Sequence, residues 1–232
     1  MRTLRPLFIQ GWPLLCGPQN ERAANIRNRV LWLGHAAIRI ARKNFETTEK
    51  EITMETNRII EELNAMAGMD WDPEQKAFYV QRAKDARAVE CVRMCDVFTS
   101  EQMDFLRMNY HTKQKQCYKN AADLVTFISH PFGSFLFKEP AKYVEGFAYS
   151  CGLLPIEHAF VKIGNKYIDP TFERALKLDP RKEMYVSCIE LEWQEMVQLQ
   201  AETGYYGDLY LYAFMKRNNP CMAAKIRAMK AK

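Results

Sequence analysis

The segment HAFVKIGNKYID, residues 158–169, has the pattern of two short strands joined by a tight turn. Gly164 and Asn165 are typical of the primed two-residue turns that β-hairpins prefer. Ile163 and Lys166 then flank the turn and pair with each other. We therefore predict a β-hairpin whose register is set by these four residues.

In this register Phe160 lies opposite Asp169, and His158 shares the face of Phe160 because side chains alternate along a strand. His158 and Asp169 are then diagonal neighbours with Cβ atoms about 7 Å apart or less, which allows their side chains to hydrogen-bond. The opposite face of the hairpin is apolar and is expected to be buried. It carries Ala159, Val161, Ile163 and Ile168.

Cys117 begins the stretch CYKNAADLVTFI, residues 117–128, whose apolar side chains recur at the three- and four-residue spacing of a helix. Its thiol shares the apolar face, and a helix N-terminus carries partial positive charge that stabilises a thiolate. Each residue also has an ordinary interpretation. Cys117 fits a small buried hydrophobic residue, His158 a surface strand residue, and Asp169 the start of a turn. The combination of all three favours a catalytic Cys-His-Asp triad.

The order of these motifs carries a family resemblance. Cys117 at a helix start is followed by YVEGFA at 143–148, His-Ala-Phe at 158–160 and Ile-Asp-Pro-Thr at 168–171. Over residues 110–175 this order resembles the transglutaminase-like branch of the papain-like cysteine enzymes. Two features depart from that branch. A phenylalanine follows His-Ala where tryptophan is frequent, and no glycine-rich or tryptophan-flanked motif surrounds the cysteine.

The resemblance implies an α+β core in which the helix that carries the nucleophile packs on a small antiparallel sheet. It implies that Cys117 attacks a carbonyl carbon to form a thioester, with His158 as general base and then acid. Asp169 would orient the imidazole. Water as acceptor gives hydrolysis, as in a cysteine protease or amidase, and an amine gives transamidation. The expected substrate is a peptide, a protein or a small amide, and no cofactor is expected.

The oxyanion formed in such a reaction needs hydrogen-bond donors. The backbone N–H of Cys117 is one candidate, and the side-chain amides of Gln116 and Gln114 are others. For both glutamines an ordinary polar loop is the alternative. Asn120 lies one helical turn beyond Cys117 and is a candidate for capping or positioning, with packing as the alternative.

Before this core the apolar spacing predicts only helices, and Asp72 followed by Pro73 is a favourable helix start. The four predicted helices cover about 20–44, 48–66, 72–97 and 99–110. We therefore expect residues 1–110 to form an all-helical region, a lid or a platform, and residues 111–232 to form the core. In the core we predict strands at 143–149, 158–163 and 166–169, a strand or helix start at 184–189, and helices at 193–203 and 208–217.

The composition is that of a folded protein, since 48% of the 232 residues are hydrophobic and 26% are charged. The formal net charge of +5 agrees with a mildly basic, solvated surface. Nucleic acid is disfavoured as a partner because no stripe of Lys and Arg interleaved with aromatic residues is present. A non-catalytic protein-binding module on the same fold is the alternative to an enzyme.

The seven cysteines are odd in number and irregular in spacing, which favours reduced thiols and a cytoplasmic location over a disulfide framework. No CxxC pair occurs and the four histidines are scattered, so we expect no metal site. Pro6, Gly11 and Pro13 interrupt the apolar N-terminal stretch. No segment approaches the about 20 apolar residues that cross a membrane, so no membrane anchor is expected.

Overall fold

A computed structural model describes residues 49–149, 155–221 and 224 of the chain, and these residues belong to one compact unit. The helix predicted over 20–44 lies outside them. The described helices are α1 Glu49–Ala67, α2 Pro73–Asp85, α3 Ser100–Asn109, α4 Cys117–Ser129, α5 Pro131–Ser134, α6 Trp193–Thr203 and α7 Leu209–Asn218. The described strands are β1 Arg87–Val89, β2 Cys91–Val92, β3 Ala141–Tyr149, β4 Ile156–Ile163, β5 Lys166–Ile168 and β6 Met184–Glu192.

Local signals place the end of α1 and the start of α2 where the sequence predicts them. Helix α1 ends just before Gly68, and α2 begins at Pro73. The Asp72 carboxylate accepts hydrogen bonds from the N–H groups of Glu74, at 3.1 Å, and Gln75, at 3.0 Å. These bonds satisfy backbone donors that have no partner within the helix.

The predicted continuation of the helix from Asp72 to about Val97 is wrong beyond Asp85. Ala86 has an extended conformation, with φ −60° and ψ 129°, and β1 and β2 follow it. Short apolar runs fit a helix and a strand equally well, and here the pairing of β1 with β6 and of β2 with β5 selects the strand. The region before residue 111 is therefore not all-helical, because it supplies two strands to the sheet.

The six strands form one sheet in the order β1-β6-β3-β4-β5-β2. Neighbouring strands are antiparallel except β2 and β5, which are parallel, so a mixed sheet replaces the small antiparallel sheet that we expected. Only Glu90 lies between β1 and β2, yet these strands occupy opposite edges of the sheet. The sheet must therefore curl until its two edges approach each other.

The β4–β5 hairpin forms in the predicted register, with Ile163 paired to Lys166 and Val161 to Ile168. Of the two turn residues only Gly164 has a positive φ, 55°, as in a type II′ turn. The apolar face of the hairpin is buried in one hydrophobic cluster with α4. The helix contributes Ala121, Leu124, Val125 and Ile128 to that cluster.

The C-terminal part of the described chain completes an α+β fold. The segment at 184–189 belongs to a strand, β6, and α6 and α7 cover the two helices predicted after it. None of the described helices is both long enough and apolar enough to span a membrane.

Candidate active site

His158 and Asp169 form a buried hydrogen-bonded pair. The His158 Nε2 atom lies 2.7 Å from Asp169 Oδ2, and the two residues are 1% and 0% exposed. The hairpin register brings them together, which confirms that they are neighbours on one face. Whether they act in catalysis stays a prediction.

Asp169 is held by three further donors. Its Oδ1 atom accepts hydrogen bonds from the N–H groups of Thr171, at 2.8 Å, and Phe172, at 3.0 Å. Its Oδ2 atom also accepts a hydrogen bond from the Tyr185 hydroxyl at 3.0 Å. The backbone bonds arise locally, because an aspartate before a turn commonly accepts from the N–H two residues on. Tyr185 was missed, since nothing in the local sequence connects β6 with the hairpin.

Cys117 is the first residue of α4 and is half-buried. Its thiol lies near the His158 imidazole and is one of the groups that raise the pKa of His158. Because Nε2 of the imidazole is engaged by Asp169, the other ring nitrogen, Nδ1, remains for the thiol. The sulfur, the imidazole and the carboxylate thus follow one another in the order that a thiol triad requires.

The environment of His158 favours the imidazolium. Burial lowers the pKa of His158, but the charge and hydrogen bond of Asp169, together with Cys117, outweigh it and raise the pKa to about 10. The buried carboxylate of Asp169 thus favours the protonated imidazole.

The start of α4 offers backbone donors next to the sulfur. The first helical hydrogen bond runs from the Asn120 N–H to the Gln116 carbonyl, at 2.8 Å. The N–H groups of residues 117–119 thus have no partner within the helix, and no side chain caps this end. These N–H groups, including that of Cys117, are available as donors at the end of the helix that carries the thiol.

The two predicted glutamine side chains have other surroundings. Gln116 is the N-cap residue and is exposed, and the Gln114 Nε2 atom donates to the Ala175 carbonyl at 3.3 Å. Neither is brought to the thiol by a described contact. They stay candidates that no observation supports.

Asn120 is buried and connects the loop before α4 with the turn after β5. Its Nδ2 atom donates to the Lys113 carbonyl at 2.8 Å and to Thr171 Oγ1 at 3.0 Å. Its Oδ1 atom accepts from the Lys113 N–H at 3.0 Å. Since these bonds engage the whole amide, its place in the structure agrees with positioning and not with contact to a reacting group.

Two glutamates near the site have separate partners. Glu157 precedes His158 but points to the other side of the strand, where it pairs with Arg82 at 2.7 Å. Glu145 is buried and accepts hydrogen bonds from the Tyr143 hydroxyl and from the first N–H groups of α7. Glu157 and His158 point to opposite sides of β4 because side chains alternate along a strand.

The residues that the structure describes contain no group of three or more His, Cys, Asp or Glu side chains able to hold a metal ion. Comparison of the chain with protein-family models, with curated proteins and with solved structures finds no match. Function is therefore inferred from the geometry of the site.

Proposed function

We propose that this protein is a thiol-dependent acyl transfer enzyme, a transglutaminase-like cysteine hydrolase or acyltransferase that acts through Cys117, His158 and Asp169. The observation that supports the proposal best is the buried His158–Asp169 pair, 2.7 Å between Nε2 and Oδ2, beside the thiol at the start of α4. The proposed substrate is a peptide, a protein or a small amide in the cytoplasm.

In the proposed reaction the Cys117 thiolate attacks the carbonyl carbon of an amide and forms a carbon–sulfur bond. The imidazolium of His158 donates its proton to the leaving nitrogen as the carbon–nitrogen bond breaks, which leaves a thioester. Water or an amine then attacks the thioester and gives a proton to the now neutral imidazole. The carbon–sulfur bond breaks, and the thiolate and imidazolium are restored.

The negative oxygen formed in each attack needs donors that are already in place. The unpartnered N–H groups at the start of α4 meet this need, because they lie beside the sulfur and at the positive end of the helix dipole. Asp169 keeps Nδ1 directed at the thiol by engaging Nε2. Its own orientation is maintained by the backbone bonds from Thr171 and Phe172.

Site-resolved alkylation of the native full-length chain tests the proposal. Iodoacetamide is added at pH 6, and the rate at each cysteine is measured by mass spectrometry of peptides. An ordinary thiol, with a pKa of about 8.5, is almost entirely protonated at this pH. We expect Cys117 to react at least about tenfold faster than Cys95 and Cys221, which are exposed and serve as internal standards.

A His158→Asn variant should lower the rate at Cys117 to that of an ordinary thiol and leave the rate at Cys95 unchanged. Equal rates at Cys117 and Cys95 in the wild type would contradict the proposal. So would a Cys117 rate that does not depend on His158. Incubation of unlabelled wild-type protein with peptide amides, with and without a primary amine, would then separate hydrolysis from transamidation.

A further inference from the structure

Tyr185 shares a carboxylate oxygen with His158. Its hydroxyl donates to Asp169 Oδ2 at 3.0 Å, and the same oxygen lies 2.7 Å from His158 Nε2. Tyr185 is 0% exposed, so no water competes for this bond. Two side-chain donors, one neutral and one charged, therefore meet at a single acceptor atom.

The hydroxyl of Tyr185 has one proton, and the carboxylate receives it. The Cys91 thiol lies in the same buried cluster as the Tyr185 ring, and burial raises the pKa of Cys91 well above its usual value, so the thiol is protonated. Because an ionised carboxylate is a much stronger acceptor than a thiol, Tyr185 directs its own proton to Asp169.

The tyrosine ring cannot easily leave this position. Its centroid lies 5.3 Å from that of Phe160 and 6.1 Å from that of Phe172, and Phe172 also contacts the His158 ring with a centroid distance of 4.7 Å. The backbone of Tyr185 pairs with Val89 at the next strand. Packing and pairing together keep the hydroxyl beside Asp169.

We infer that Tyr185 is a positioning residue of the proposed cysteine enzyme, whose hydroxyl shares Asp169 Oδ2 with His158 and thereby limits the strength of the His158–Asp169 hydrogen bond. The inference rests on the proposed function for its role in a reaction. A second donor on Oδ2 withdraws part of the negative charge that His158 faces.

Tyr185→Phe tests the inference because it removes one oxygen atom and keeps the ring. The readout is the exchangeable Nε2 proton of His158, which a short hydrogen bond to a carboxylate moves far downfield in the proton NMR spectrum. We expect Tyr185→Phe to move this resonance further downfield, since His158 becomes the only side-chain donor on Oδ2. Tyr212→Phe is the matched control, because it removes a hydroxyl–carboxylate bond of the same 3.0 Å length, to Glu202.

A folded Tyr185→Phe variant whose His158 resonance stays in place or moves upfield overturns the inference. If that variant does not fold, the full chain made with 3-fluorotyrosine is used. Its more acidic hydroxyl is a stronger donor, so the resonance should move upfield, and an unchanged or downfield position overturns the inference. The alkylation of Cys117 in the wild type tests the proposed function separately, so the two failures are distinguishable.

Discussion

At the scale of single residues, the Tyr143 hydroxyl has one proton but faces two acceptors. Glu145 Oε1 lies 2.7 Å from it, and the Tyr206 carbonyl lies 3.0 Å from it. Glu145 accepts three hydrogen bonds, one from this hydroxyl and two from the N–H groups of Leu209 and Tyr210. Burial, opposed by the hydrogen bonds that Glu145 accepts, raises the pKa of Glu145 to about 7. Burial therefore favours a neutral Glu145 in mildly acidic solution.

This arrangement predicts how the free energy of unfolding depends on pH. Between the ordinary pKa of Glu145, 4.5, and its folded value of about 7, the folded state binds more protons than the unfolded state. The contribution is fully present below pH 4.5 and is lost as the pH rises through 7, a decrease of about 3 kcal/mol. Glu145→Gln should lack this decrease. Urea unfolding of both proteins at pH 5 and pH 8 measures it, and parallel pH dependence in the two proteins would contradict the prediction.

The site residues differ in how far the sequence predicts them. Cys117, His158 and Asp169 could be proposed as candidates because helix phase and hairpin register are local properties, each decided within about a dozen residues. Tyr185 could not be found this way, because its contact with Asp169 depends on where β6 lies in the sheet. Asn120 was recognised as a candidate, but its partners in the loop and the turn are also products of the tertiary structure.

At the scale of secondary structure elements, the hairpin follows from local sequence, whereas strands β1 and β2 depend on pairing with distant parts of the chain. The β4–β5 register follows from a two-residue turn and an apolar face, and the structure confirms it. Strands β1 and β2 were predicted as helix, because three- and two-residue segments carry too little periodicity to oppose the helical pattern upstream. Their partners, β6 and β5, lie more than 70 residues later in the chain.

The turn at Gly164 and Asn165 sets the register of the β4–β5 hairpin. Gly164 has a φ of 55°, a region that costs residues with a Cβ about 1–2 kcal/mol. Gly164→Ala should therefore lower the free energy of unfolding by about that amount, measured by urea or thermal unfolding. Gly68→Ala is the control, because its added Cβ would meet only ordinary contacts at 3.4 and 3.7 Å. Equal effects of the two substitutions would show that the left-handed turn is not needed.

At the scale of the whole molecule, one short segment holds both edges of the sheet. Residues 87–89 pair with β6 at one edge, and residues 91–92 pair with β5 at the other. Strand β6 supplies Tyr185, and β5 leads directly into Asp169. Curling of the sheet therefore brings together the two elements that position the carboxylate, and the segment at 87–92 keeps the curl closed.

This closure predicts the pattern of amide hydrogen exchange in the native chain. Short edge strands normally fray, and their amides exchange rapidly. Here residues 87–92 cannot leave one edge without straining the other, so their hydrogen-bonded amides should exchange only on the same slow timescale as those of the central strands β3 and β4. Helix α2 lies directly before this segment and has no fully buried residue, so it serves as the internal reference. Its amides should exchange faster than those of residues 87–92. Exchange of residues 87–92 as fast as that of α2, measured by mass spectrometry of peptides, would show that the two edges open independently.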